Sequence, residues 1–243
     1  MNNVHNQEPT IFHVTHWKAG SQWLHRILRD IALDRIVAPQ LFEKQFLIEP
    51  IVAGAIYPTV YVTKEQFESV PLPTGSKKFV VIRDLRDTLV SAYFSIRYSH
   101  AVIDKSLAEW RERLEASDIG SGLLMLMEEW LPSSARIQES WVKSGENIVR
   151  YEDLLQNDFE ILEQVFIQQC GLSIGTERLR EIVHDNRFEN ATGGRKPGEE
   201  NRDSHERKGI AGDWRNYFTS GVTKNFNAQY GTLLVSAGYD LAD

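Results

Sequence analysis

Lys18-Ala19-Gly20-Ser21-Gln22-Trp23 stands between the apolar run IFHVT, residues 11–15, and a segment where Leu24, Ile27, Leu28 and Ile31 recur at helical spacing. A strand, a loop and a helix in that order let backbone N–H groups converge on one point. Lys18 adds a cation and Gly20 lets the main chain approach closely, so the chemistry on offer is anion binding, with phosphate as the natural guest. The nucleoside-triphosphate loop G-x-x-x-x-G-K-[ST] is not matched, because here the lysine precedes the glycine. That disfavours a mononucleotide kinase. Taken alone, the stretch reads equally as a turn with a surface lysine and a core tryptophan.

Two further groups change that balance. Arg83 closes the buried run KKFVVIR (77–83), and Ser91 follows eight residues later on a predicted helix. An arginine at the carboxyl end of a central strand lies where α/β sheets bind ligands, and it can grip a phosphate with two parallel bonds. The plainer readings are an ion pair of Arg83 with Asp84 or Asp87 and a solvent-facing Ser91. Arg207-Lys208-Gly209 places two cations before a glycine whose N–H can face an anion, and Gly212-Asp213-Trp214 follows at once. A solvated charge pair beside a packed tryptophan would read the same way.

The elements that must position these residues follow from periodicity. Phe12–Thr15, Val60–Thr63, residues 77–83 and NIVRYED (147–153) read as strands, and the unbroken FVVI suits a parallel strand covered on both faces. Asp87 is predicted to cap a helix carrying Leu89, Val90, Tyr93 and Phe94. Residues 106–142 are helical by pattern, with interruptions expected at Gly120, Gly122 and Pro132. A helix with Leu162, Val165 and Phe166 is expected to end at Cys170-Gly171, and others to cover Glu177–Asn186 and the Phe226–Ala237 stretch. Alternating strands and helices imply an α/β three-layer fold. Residues 191–206 are polar and nearly devoid of apolar anchors, which predicts a mobile loop.

Composition bounds the rest. With 243 residues, 42% of them hydrophobic, the chain can bury a sizeable core, and it reads as a single domain over residues 1–243. A single cysteine, Cys170, excludes an intramolecular disulfide and any multi-cysteine metal site within the chain. No run approaches the roughly 20 apolar residues of a membrane span. The first residues, MNNVHNQEPT, lack a basic and then apolar leader, so a cytoplasmic protein is expected. A net charge of −7 argues against nucleic acid as partner, so any anionic ligand must be held by a local pocket.

The Lys18–Trp23 loop, Arg83 with Ser91, Tyr151-Glu152-Asp153 and RKGIAGDWRNYFT (207–219) occur in the order and approximate spacing of the cytosolic sulfotransferase family, which the chain resembles over most of its length. R-K-G-x-x-G-D-W is the most specific part. The resemblance implies a P-loop NTPase-like three-layer sandwich with a central, mainly parallel sheet. It implies an enzyme that takes 3′-phosphoadenosine 5′-phosphosulfate (PAPS), transfers the sulfuryl group in line to a small alcohol, phenol, amine or sugar hydroxyl, and releases PAP, with no metal required. Carried over residue by residue, it puts Lys18, Ser21 and Gln22 at the 5′-phosphosulfate on a backbone that includes Ala19 and Gly20. Trp23 would stack on adenine, Tyr151 and Phe188 would line the adenosine, and Arg83, Ser91, Arg207, Lys208 and Gly209 would hold the 3′-phosphate. Tyr151 and Phe188 read equally as core residues.

The chain also departs from that family. Where the family has K-[TS]-H seven residues before a proline, this sequence has Val62-Thr63-Lys64 and then Pro71. Lys64 serves as a base only if its pKa is lowered; otherwise it orients or stabilises the donor, or is an exposed lysine at a helix start. His16, two residues before Lys18, is a second candidate base. Trp17 stands where a proline is common, and Ser220 and Lys224 replace a valine and a glutamate of the family's dimer segment, which leaves the oligomeric state open. A non-catalytic nucleotide-binding relative and, at greater distance, a P-loop kinase stay as alternatives. Trp110, Trp130 and Trp141 fit core spacing as well as an acceptor lining.

Overall fold

The structure, a computed structural model, describes residues 8–40, 45–101 and 105–241, so most of the polar amino-terminal stretch lies outside the described residues. In chain order the described strands are β1 (Ile11–Thr15), β2 (Ile56–Val60), β3 (Lys77–Ile82) and β4 (Ile148–Arg150). The helices are α1 (Ser21–Ala32), α2 (Gln45–Ile48), α3 (Lys64–Glu68), α4 (Leu85–Phe94), α5 (Lys105–Glu115), α6 (Ile119–Glu129), α7 (Leu131–Val142), α8 (Tyr151–Gln156), α9 (Asp158–Glu163), α10 (Thr176–Asp185), α11 (Phe188–Ala191) and α12 (Ser220–Ser236). The chain gathers into two compact units, neither continuous in sequence: Met1–Ile82 with Ser144–Arg187, and Arg83–Lys143 with Phe188–Asp243.

The first unit carries the sheet, ordered β2-β1-β3-β4 and parallel throughout. Successive side chains of a strand point to opposite faces, which splits its apolar residues into two layers. Ile11, Ile56, Phe79 and Val81 pack with Leu24, Ile27 and Leu28 of α1 and with the α8–α10 region. Phe12 and Tyr57 face the other way and meet Phe46 of α2 and Phe67 of α3, with ring centroids 5.0–5.5 Å from Phe12. Helices on both faces give the three layers the sequence predicts. Each fully buried Leu or Phe among these contributes roughly 1.5–3 kcal/mol. β2 lies at Ile56–Val60 rather than Val60–Thr63 because Thr63 is drawn into a capping box with Gln66 that starts α3. Pro58 is tolerated in β2 because that strand is at the sheet's edge.

The second unit is helical, with a core of Leu85, Leu89, Tyr93, Leu123, Met127, Leu131, Trp214 and Phe226 among others. Asp84, not Asp87, caps α4: its carboxylate accepts from the Arg86 N–H at 2.9 Å, and Asp87 is engaged elsewhere. The interruptions in 106–142 come at residues 116–118 and at Trp130, whereas Gly120 and Gly122 lie inside α6. Asp118 caps that helix, and Gly122 gives room to the Tyr93 ring, which a Cβ would approach to 2.6 Å. No described helix is long and apolar enough to cross a membrane.

Candidate functional site

In the first unit β1 ends at Thr15 and α1 starts at Ser21, so residues 16–20 must turn sharply. Gly20 takes φ 87, and Lys18, at φ 66, is the one non-glycine residue in the left-handed region among those described. That backbone is strained for a residue with a side chain. α1 begins without a side-chain cap; the Trp23 and Leu24 amides turn back to the Gly20 carbonyl at 3.0 and 3.2 Å, and no capping side chain closes off the end where Ser21 and Gln22 stand. Tyr151, at the start of α8, packs on the loop: a Cβ on Gly20 would lie 2.7 Å from its ring. Trp23 meets the same ring edge-on at 6.2 Å, and its indole N–H is buried with no hydrogen-bond partner in the protein. The structure thus brings Lys18, Ala19, Gly20, Ser21, Trp23 and Tyr151 together, with Gln22 exposed beside them.

Sequence reasoning missed one member of this group. Tyr61, directly after β2, places its hydroxyl 3.0 Å from Ser21 Oγ and stacks on Trp17 at 4.8 Å. Only the aromatic type at a strand's end hinted at it.

The two candidate bases sit differently. His16 is fully buried and donates from Nδ1 to the Trp17 carbonyl at 3.0 Å. Lys64 opens α3 and its ammonium is hydrogen-bonded to Glu68 one turn on. That carboxylate pushes the Lys64 pKa up, so the side chain keeps its proton, the opposite of what a base needs. His13, which faces the core of the sheet, stacks on Phe79 at 4.8 Å and donates to the Pro58 carbonyl at 2.7 Å. Burial depresses it to about 4.

In the second unit the cations are organised by buried carboxylates. Asp213, 2% exposed, accepts from Arg207, from Lys208 Nζ at 2.6 Å and from Asn216 at 2.8 Å. Burial acts to raise its pKa, and the bonds from Lys208, Arg207 and Asn216 outweigh that, leaving it below the usual carboxylate range. Arg207 also donates to Glu200 and lies 4.3 Å over the Phe94 ring. Asp87 accepts from the N–H groups of Gly212 and Trp214 at 2.6 and 2.9 Å, with the Arg83 guanidinium 4.0 Å away. Asp84 pairs with Arg86 at 2.7 Å, and Asp87 lies on the Arg83 side of the pair. Burial raises the Asp87 pKa, against the pull of Arg83.

Gly209 has φ 63, and a Cβ there would lie 2.4 Å from the Phe188 ring, so the ring rests on bare backbone. Ser91 is half-buried on α4. Arg83, Phe188, Arg207, Lys208 and Gly209 are thus tied through the 212–214 turn, Asp213 and the Phe188 contact. The roles of Asp87 and Asp213 had a partial signal in their motifs. Glu200 had none, because it lies in a segment whose composition reads as mobile. Among the described residues no cluster of three or more His, Cys, Asp or Glu is arranged to hold a metal.

The sequence profile described as the sulfotransferase domain matches residues 8–238. Human sulfotransferase 2A1 is 23% identical over 85% of this chain and 68% of its own length. Mouse sulfotransferase 1B1 is 24% identical over 89% of this chain and 79% of its own. Among solved structures, mouse sulfotransferase SULT7A1 in complex with PAP superimposes with a TM-score of 0.67 at 18% identity, over 95% of this chain and 86% of that one. A retinol dehydratase bound to retinol and PAP gives 0.60 at 16% identity, over 99% and 86% of the two chains.

Proposed function

We propose, because this chain belongs to the sulfotransferase domain family, that it is an enzyme moving a sulfuryl group from PAPS to a hydroxyl or amine of a small acceptor. The observation that carries this reading is the second unit's cation set: Arg207 and Lys208 converge on buried Asp213 directly before Gly209, whose backbone carries the Phe188 ring. A nucleoside 3′-phosphate is the guest that such a set selects, since Asp213 and Glu200 hold the cations in place and a 3′-phosphate adds charge-assisted bonds that ATP, which lacks that group, cannot make. Solved relatives hold PAP, which supports the same guest here.

Residue by residue, Arg83, Ser91, Arg207, Lys208 and the Gly209 amide bind the 3′-phosphate, and Phe188 packs on the nucleoside. Lys18, the backbone of Ala19 and Gly20, Ser21 and Gln22 bind the 5′ anionic group, with Trp23 and Tyr151 beside the base. Bound PAPS supplies an activated sulfuryl group. The chain supplies position and charge: Lys18 stabilises the negative charge that develops on the leaving phosphate oxygen, and the reaction needs no metal. The acceptor is a small molecule, the setting cytoplasmic, and nucleic acid no partner.

The test is nucleotide binding by calorimetry. PAP is expected to bind at least about tenfold more tightly than AMP, with Arg83→Ala abolishing the preference. Equal affinities in the wild-type protein would refute the reading. One observation favours a second reading, a nucleotide-binding relative without turnover: Lys64 stands in place of the family's histidine and its ammonium is held by Glu68. Labelled PAPS offered with a broad panel of phenols, alcohols, amines and sugars separates the two, since tight PAP binding with no labelled product from any acceptor would favour the second.

A further inference from the structure

Residues 191–206 should be loose by composition, yet one side chain gathers them. Arg195 Nη1 donates to the carbonyls of Glu199 at 3.3 Å and Arg207 at 3.0 Å. Its Nη2 donates to Ser204 Oγ at 3.1 Å and to the Glu206 carbonyl at 2.6 Å. The guanidinium also lies 5.1 Å from the centroid of the Phe188 ring. Two backbone bonds run alongside: Gly198 N–H to the Lys208 carbonyl at 2.8 Å and Asn201 N–H to the Arg207 carbonyl at 2.9 Å. The carbonyls of residues 206, 207 and 208 are therefore all taken by residues 195–201. Glu200 completes the arrangement by accepting from Arg207, from Arg202 at 3.0 Å and from the Tyr217 hydroxyl at 3.1 Å.

All four acceptors of Arg195 are neutral oxygens. What they require is the planar fork of the guanidinium, with donors in fixed directions, more than its charge. Four of its five N–H donors, those of Nη1 and Nη2, are spent inside the protein, so the forked end of Arg195 is placed to hold other residues. The residues it holds, Phe188 and the backbone of 206–207, are those that carry the nucleotide-facing ring and cations of the proposed function, on which this step rests.

We propose that Arg195 is a positioning residue for nucleotide selection: by gathering residues 195–207 and contacting Phe188 it fixes the ring and the Arg207–Gly209 backbone before any ligand arrives. Side chains held in place beforehand bind without an ordering cost. Arg195→Lys, which keeps the charge and loses the fork, is expected to weaken PAP binding about tenfold. AMP, which does not use the 3′-phosphate cations, should lose less. In turnover the KM for PAPS should rise while kcat stays within about twofold, because the reacting atoms are untouched. Amide exchange at Gly198 and Asn201 should be slow in the free wild-type protein and fast in Arg195→Lys.

An Arg195→Lys protein that binds PAP as the wild type does overturns the assignment, whether or not its exchange speeds up. A wild type that binds PAP no better than AMP overturns instead the functional reading beneath it, a result independent of Arg195. Should the variant fail to fold, the wild-type exchange decides: Gly198 and Asn201 amides unprotected until PAP is added would overturn the claim that the segment is ordered beforehand.

Discussion

Gly209 is a position where one methyl group should matter. Its φ of 63 is open to glycine and costly for alanine, and the added carbon would sit 2.4 Å from Phe188. Gly209→Ala is expected to cost about 1–3 kcal/mol of stability and to abolish PAP preference, read from urea unfolding and calorimetry together. Asp213 has the reverse task, holding two cations with one buried carboxylate. Asp213→Asn should cost about 1.5–3 kcal/mol through weakened charge-assisted bonds, and the loss should shrink in acid. Its folded pKa is depressed, so the stability it confers is present above the ordinary aspartate range and fades as pH falls through the folded value. Lys64, whose pKa is raised, makes a different forecast: Lys64→Met should leave the limbs of the pH–rate profile where they are. A limb displaced in that variant would restore lysine as the base.

Between elements, the tie to watch is Asp87, which fastens α4 to the turn at 212–214. Asp87→Ala would orphan the Gly212 and Trp214 amides, a loss of about 2 kcal/mol or more, measurable as a lower urea midpoint. In the sheet, His13 links β1 to β2 through the Pro58 carbonyl. Its pKa is lowered from 6.5 to about 4, so the unfolded chain takes up a proton that the folded chain refuses. Stability should therefore be full above pH 6.5 and fall by about 3 kcal/mol toward pH 4. His13→Phe, which keeps a ring against Phe79, should flatten that slope; an unchanged slope would place the acid sensitivity elsewhere.

Across the whole molecule, the net charge of −7 opposes an anionic donor at long range, and the local cations must overcome it at contact. The proposed function has charges meet the 3′-phosphate and rings meet the nucleoside, so salt should erode one more than the other. Raising ionic strength from about 0.05 to about 0.5 M is expected to narrow the PAP-over-AMP preference. A preference indifferent to salt would argue that shape alone discriminates. The two units each carry their own apolar core, and the chain passes from one to the other after Ile82, Lys143 and Arg187. Nothing in composition marks those passages, since none has the glycine- or proline-rich character of a linker.

The sequence by itself determined the parallel sheet, the loop after β1, and the R-K-G-x-x-G-D-W segment, because local period, turn chemistry and motif spacing are written in neighbouring residues. β2 lies a few residues before the run its pattern points to, since a capping box claims Thr63, and Asp87 is no cap because it accepts from amides 125 and 127 positions away. Only the tertiary structure decided that Arg207 and Lys208 share Asp213, that Tyr61 meets Ser21, and that Arg195 orders a segment whose composition says it should be loose. Those outcomes rest on side chains satisfying hydrogen bonds across the fold, and a donor's partner is fixed by where the backbone brings an acceptor, which no local pattern encodes.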